Sequence, residues 1–219
     1  GTVTLKTGAE VKIGARISGQ VKSLLVKIGD FVRAGETIAI IEHEDLLSRV
    51  ARFQADLDAE KARLAKIRAE GPLEISKAVA EREELQVQIK LAQKMLERNQ
   101  ELNKKGFVST TVLDQARERL EVLLAGINLA NEELKLKQSQ LINNSRLAEA
   151  MVDRAAANLN EEEIQLTYAS ITAPIDGIVA FVSTQEGETV VASLNAPTFV
   201  NLIDLRKLEV TVFVDETDI

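Results

Sequence analysis

The chain has 219 residues, with 27 Lys and Arg against 34 Asp and Glu and a formal charge of −7. That balance excludes a nucleic-acid surface, which needs clustered cations, and aromatic residues at 3% with no Trp leave no platform for stacking bases. Cys is absent, which excludes disulfides and Cys-ligated metals, and no run approaches the roughly 18 apolar residues of a membrane-spanning helix.

Residues 2–42 read as strands. Val3, Leu5, Val11, Ile13, Ile17 and Val21 alternate or nearly so, and Gly8, Gly14, Gly19, Gly29 and Gly35 read as turns between them. From about Leu46 to about Tyr168 the composition turns to Ala, Glu, Leu, Lys, Gln and Arg, which favours helix. The second arm of this stretch keeps a 3-4 spacing through Leu113, Ala116, Leu120, Leu123, Ile127, Ala130, Leu134, Lys137, Leu141, Asn144, Ala148, Met151 and Ala155. A period of 3.5 sustained that far predicts a coiled coil. The first arm does the same in two pieces, Leu46 to Ile67 and Leu85 to Leu96.

The turn between the arms is readable residue by residue. Lys104 and Lys105 suit a helix C-terminus, and Gly106 suits the left-handed position after it. Phe107 and Leu102 are then the pair whose hydrophobic contact closes a Schellman turn. Ser109, Thr110 or Thr111 caps the next helix, with Asp114 in its first turn. Each arm of about 60 residues predicts a hairpin projecting on the order of 90 Å.

Gly71-Pro72 interrupts the first arm, because proline removes a hydrogen bond and clashes with the preceding turn. By count from the turn these residues lie opposite Leu141, beside Asn143 and Asn144. A kink or helix break is expected there with a polar layer across from it, either as a tolerated defect or as a flexible joint.

Residues 171–204 return to strands and repeat residues 11–42. At an offset of 158, Ala15, Ile17, Gly19, Val21, Gly29, Asp30 and Val32 meet Ala173, Ile175, Gly177, Val179, Gly187, Glu188 and Val190. After an insertion near Ser193–Ala196 the offset is 162, and Ile38, Ile40, Ile41 and Glu42 meet Val200, Leu202, Ile203 and Asp204. Leu208, Val210, Val212 and Val214 then alternate as a further strand. His43 with Glu42, Glu44 and Asp45 reads either as a metal site or as a solvated turn; a zinc site wants more nitrogen or sulfur ligands. No phosphate loop or nucleophile motif is present, and no enzymatic activity is expected.

Two symmetric half-motifs that interlock into one sandwich resemble the biotinyl/lipoyl carrier fold. Here Glu42-His43-Glu44-Asp45 offers no lysine to modify, so no cofactor is expected, and a carrier with a coiled-coil appendage is the alternative of another class. A lipoyl-like domain split by a long helical hairpin resembles the periplasmic adaptor, or membrane fusion protein, family (HlyD-like), most of all its macrolide-type branch. The stretches that carry the resemblance are Ala15–Gly29, Ala173-Pro174-Ile175-Asp176-Gly177 and Ala196-Pro197 through Asp204. The fold class expected is elongated α+β: an N-terminal strand leading from the barrel region (1–10), a first half-motif (11–45), a helical hairpin (46–168, arms 46–105 and 110–168 about a turn at 106–109), a second half-motif (169–206) and the first strand of a β-barrel (207–219).

The resemblance implies a periplasmic protein anchored to the inner membrane through a segment absent from this chain. It implies a subunit that bridges an inner-membrane transporter to a TolC-like outer-membrane channel, self-associates into a ring of six copies, and binds no nucleic acid. An ABC transporter is the expected partner; a type I secretion or proton-driven RND system is the alternative. An Arg-x3-Leu-x6-Ser pattern at the hairpin tip contacts the channel in such adaptors, and Arg98, Leu102 and Ser109 match it. Each also has an ordinary reading, as a solvated face, a Schellman contact and an N-cap. Gln185 and Glu186 sit where the macrolide-type adaptors carry a channel-gating loop, and would line an axial pore in a ring; the ordinary reading is a strand turn.

Overall fold

The computed structural model describes residues 2–5, 8–192 and 198–211. The insertion near Ser193–Ala196 and the residues from Val212 onward, both singled out above, lie outside the described residues. The chain divides into two compact units, Gly1–Ala55 with Ala157–Ile219, and Asp56–Ala156.

In the first unit the elements are β1 (Thr2–Leu5), β2 (Glu10–Gly14), β3 (Gly19–Leu24), β4 (Phe31–Val32), β5 (Thr37–Ile41), β6 (Ser170–Thr172), β7 (Gly177–Val182), β8 (Thr189–Val190), β9 (Thr198–Ile203) and β10 (Leu208–Thr211). A four-stranded sheet has the order β2-β9-β7-β4, and another has β6-β5-β3-β8. The repeat makes β2, β3, β4 and β5 the counterparts of β6, β7, β8 and β9. Each sheet therefore takes two strands from each half, so neither half closes a sheet alone. β1 and β10 pair antiparallel as a separate ribbon, joining the two segments assigned above to a barrel.

The interlock is carried by matched backbone bonds. Gly29 N–H donates to Val179 O at 2.8 Å, and Val179 N–H donates to Asp30 O at 2.9 Å. Gly187 N–H donates to Val21 O and Val21 N–H to Glu188 O, both at 2.8 Å. These are the same bonds with the halves exchanged. The acid of each turn also repeats its role: Asp30 Oδ2 accepts from Lys27 N–H at 2.7 Å, and Glu188 Oε2 from Gln185 N–H at 3.1 Å. Gly29 and Gly187 hold φ of +95° and +84°, a region that disfavours side chains. Val21, Val32, Ile38, Ile41, Val179, Phe199, Val200 and Leu202 are each under 2% exposed and fill the space between the sheets.

Two expected turn glycines are instead in strands. Gly19 opens β3 because a Cβ there would lie 2.6 Å from Ile41 Cγ2, and its counterpart Gly177 opens β7 because a Cβ would lie 2.8 Å from Ile203 O. Gly14 ends β2 at a bulge against β9. Gly19 and Gly177 permit close approach rather than a positive φ.

The helices are α1 (Glu44–Lys104) and α2 (Thr110–Thr167), of 61 and 58 residues. Contrary to expectation, α1 runs without interruption through Gly71 and Pro72. Proline disfavours the helical region for its predecessor partly by striking that residue's Cβ, and Gly71 has none. Pro72 is exposed, so water can serve the Arg68 carbonyl that loses its helical donor.

Burial in the second unit shows what replaces the break. On α1 the seam passes Leu64, Ile67, Gly71, Ile75, Ala78, Arg82 and Leu85, and on α2 it passes Leu134, Lys137, Leu141, Ser145 and Ala148. Both arms take two consecutive steps of four, at Gly71 and at Leu141, where the heptad alternates three and four. This is a stutter, which locally unwinds a left-handed supercoil. Asn143 and Asn144 are exposed, and Ser145 takes the seam position that strict heptads assign to Asn144. A Cβ on Gly71 would collide with Leu141 Cδ1, so the small residue makes room for the large one. Glu70, Glu74, Lys137, Gln140 and Asn144 rim a recess of 170 Å³ beside this contact.

One carboxylate of the first unit is nearly buried. Asp204, 5% exposed, accepts from Arg206 N–H and Nε, each at 3.0 Å. Arg206's hydrogen bonds hold the Asp204 carboxyl below its ordinary value, and Asp204 raises the guanidinium in turn.

Gly177→Ala is expected to lower the stability of the sandwich by about 1–3 kcal/mol, since the opposing atom is backbone and cannot turn aside. Gly126→Ala, whose Cβ meets only Leu85 Cδ2 at 3.8 Å, is expected to raise hairpin stability by about 0.5–1 kcal/mol. Denaturant unfolding followed by circular dichroism reads both. Pro72→Ala returns a backbone donor to α1 and should raise the melting temperature; an unchanged or lower one would show that proline carries no cost there. The folded pKa of Asp204 is depressed, so its stabilisation is complete above the unfolded value of about 3.9 and is lost as pH falls through the folded value. Asp204→Asn should therefore lower the melting temperature at pH 7, with the gap from the parent closing in acid.

Candidate functional site

The hairpin turn is built by the backbone. Phe107 N–H donates to Leu102 O and Gly106 N–H to Asn103 O, both at 2.9 Å. With Gly106 at φ +76° this is the Schellman pattern at the end of α1. Asn103 Nδ2 donates to Val108 O at 2.9 Å and ties the loop to the helix end. Ser109 is the residue before α2, and its carbonyl accepts from Leu113 N–H at 3.4 Å. Asp114 lies just past the first turn of α2 and faces Arg117 at 3.6 Å.

The structure gathers the predicted tip residues at this end of the second unit. Arg98 is exposed and, among the described residues, forms no ion pair within the chain. Leu102 is half-buried, and Ser109 is exposed. Phe107 departs from expectation: it is 74% exposed, so backbone bonds rather than a hydrophobic contact with Leu102 close the turn. Sequence reasoning gave Phe107 a packing role and missed it as part of the presented surface. The signal was available, since a turn of two or three residues between antiparallel helices offers little to pack against.

The other singled-out residues sit in the first unit. Glu186 Oε1 accepts from Leu24 N–H at 2.8 Å, which folds its carboxylate back on β3, while Gln185 is exposed. His43 Nδ1 lies 2.9 Å from Ile41 O and so carries the proton of that bond. Among the described residues no group of three or more His, Cys, Asp or Glu is placed to hold a metal ion. A cleft of 750 Å³ opens among Lys12, Arg16, Tyr168 and Ser170, with the Arg16 guanidinium 5.1 Å from the centre of the Tyr168 ring.

Comparison with known proteins agrees with this arrangement. Residues 9–202 match the RND MFP barrel-sandwich hybrid domain. The chain is 30% identical to the macrolide export protein MacA of Yersinia pestis over 210 residues, 96% of this chain and 47% of that protein. It is 29% identical to the pyoverdine export membrane fusion protein PvdR of Pseudomonas putida, over 99% of this chain and 46% of that one. The chain thus spans about half the length of these relatives. The crystal structure of MacA from Actinobacillus actinomycetemcomitans superposes with a TM-score of 0.50 at 22% identity, over 94% of this chain and 55% of that chain, and shares the fold. A sandwich of two exchanged half-motifs, split by a paired-helix insertion and matched by that domain across most of its length, makes this chain a member of the RND membrane fusion protein family.

Proposed function

We propose that the chain is the central piece of a periplasmic adaptor in a tripartite export system. It is anchored to the inner membrane through a segment outside this chain, and it links an ABC-type transporter to a TolC-like outer-membrane channel. The relatives named above are export proteins for a macrolide and for pyoverdine, which supports a small-molecule cargo. The observation that carries the reading is the hairpin turn, where Arg98, Leu102 and Ser109 lie toward one end of a helix pair inserted between the halves of a sandwich.

The chemistry of that end suits docking on another helical protein. Arg98 and Leu102 are four apart and share a face of α1. A guanidinium reaches carbonyl or carboxylate oxygens on a partner with several donors in one plane. Phe107 offers exposed apolar area at the turn, and the small Ser109 leaves room for close approach. The work of the chain is positioning and sealing, and the transporter supplies the energy.

Arg98→Asp reverses the charge, and Ser109→Arg fills the space beside it. Each should weaken capture of the outer-membrane channel by roughly tenfold or more and abolish export-dependent drug resistance in cells, with the circular dichroism of the chain unchanged. Undiminished capture and resistance in both variants would refute the docking role.

A further inference from the structure

The cleft of 750 Å³ on the first unit is lined by two cations and several hydroxyls, and by no carboxylate. That sets it apart from the chain as a whole, whose formal charge is −7. Lys12 comes from β2 and Arg16 from the loop that follows it, and both are exposed. Among the described residues neither side chain forms an ion pair or a hydrogen bond within the chain. Glu10, the one acid of β2, is engaged elsewhere, since its Oε1 accepts from Asn201 Nδ2 at 2.9 Å. Two cations therefore share a cleft without an internal counter-ion.

The Arg16 guanidinium is positioned without spending its donors. It lies over the Tyr168 ring, 5.1 Å from its centre, and that attraction acts through charge rather than through N–H groups. All five donors of its planar fork stay available. Tyr168 is itself half-buried just past the end of α2, which gives the guanidinium a fixed support. The walls are the first strands of the two half-motifs. β2 and β6 are counterparts in the repeat, and each stands at the edge of its sheet. An edge strand keeps unpaired N–H and C=O groups. Ser170 adds a hydroxyl to one wall and Pro174 an exposed apolar surface.

We propose that this cleft binds a phosphate monoester carried by a small organic molecule. Its volume of 750 Å³ lies within the roughly 300–1,000 Å³ of small-molecule sites. Charge selects the ligand group. A phosphate monoester carries close to two negative charges at neutral pH, which two cations answer, whereas a carboxylate would leave one of them without a counter-charge. The two side chains divide the task. The guanidinium of Arg16 takes two phosphate oxygens with parallel donors, and the ammonium of Lys12 adds a point charge. The organic part rests on Pro174. Every residue used here belongs to the first unit, so the site goes beyond the proposed function and does not depend on a channel docking at the hairpin turn. The headgroup of phosphatidic acid carries the same chemistry, and the test separates the two sources.

Tyr168 is the only Tyr and Trp is absent, so the intrinsic fluorescence of the full chain reports on this cleft. Titration with hexyl phosphate at neutral pH and low salt should change the Tyr168 emission to saturation, with hexanol inert and hexanoate weaker. Calorimetry should show one hexyl phosphate per chain. Arg16→Gln and Lys12→Gln should each weaken that affinity by roughly tenfold with circular dichroism unchanged, and Arg16→Lys should recover only part of the loss. Absence of saturable binding, or an affinity that both Gln variants leave unchanged, overturns the proposal. Sedimentation with vesicles containing phosphatidic acid separates the sources. A chain that stays in the supernatant takes a free phosphate monoester. One that pellets, but not when Lys12→Gln and Arg16→Gln are combined, overturns the free ligand in favour of the lipid headgroup.

Discussion

The exchange of backbone hydrogen bonds between the two half-motifs is the constraint on which the rest of the fold depends. Val21 and Val179 each give an N–H to, and take one from, the turn of the opposite half. Neither half has a complete sheet or an enclosed core until the other is present, so the small sandwich is a long-range structure held by residues about 160 positions apart. A long excursion between the halves is tolerated only if its two ends come back together. Ile41 N–H donates to Ala169 O at 2.8 Å, which brings them together at the sheet. An antiparallel helix pair starts and finishes at one place, so it can be long without straining that junction. Because such a pair holds itself together along its seam, the cost of closing the loop falls on the hairpin's own folding rather than on the sandwich.

Much of this was legible in the sequence because each signal had a single physical meaning. The offset of 158 between Gly29 and Gly187, with an acid after each, marked two turns with the same φ and the same internal hydrogen bond. The 3-4 spacing from Leu113 onward marked a seam, and Lys104-Lys105-Gly106 marked its reversal. What was not legible turned on neighbours that only the fold supplies. Gly19 and Gly177 look like turn glycines in one dimension; they sit in strands because Ile41 and the Ile203 carbonyl press against them. Phe107 has the correct spacing for the hydrophobic contact of a Schellman turn with Leu102, but nothing in a spacing says whether the space beside Leu102 is large enough to shelter a ring. The charge environment of Asp204 was invisible for the same reason, since Arg206 reaches it only through the short turn that follows β9.

Pro72 is the most instructive case. A single-residue rule predicts a helix break, and the rule is sound for an average sequence. Here two local features answer it: the preceding residue is the one residue with no Cβ to clash, and the proline points to solvent. A third feature acts at longer range. The seam changes phase at the same level on both arms, so the contact across from the weak backbone is Leu141 against a bare glycine. The residue that makes the proline tolerable also makes the packing possible, and that double role is a reason for Gly71 and Pro72 to occur together.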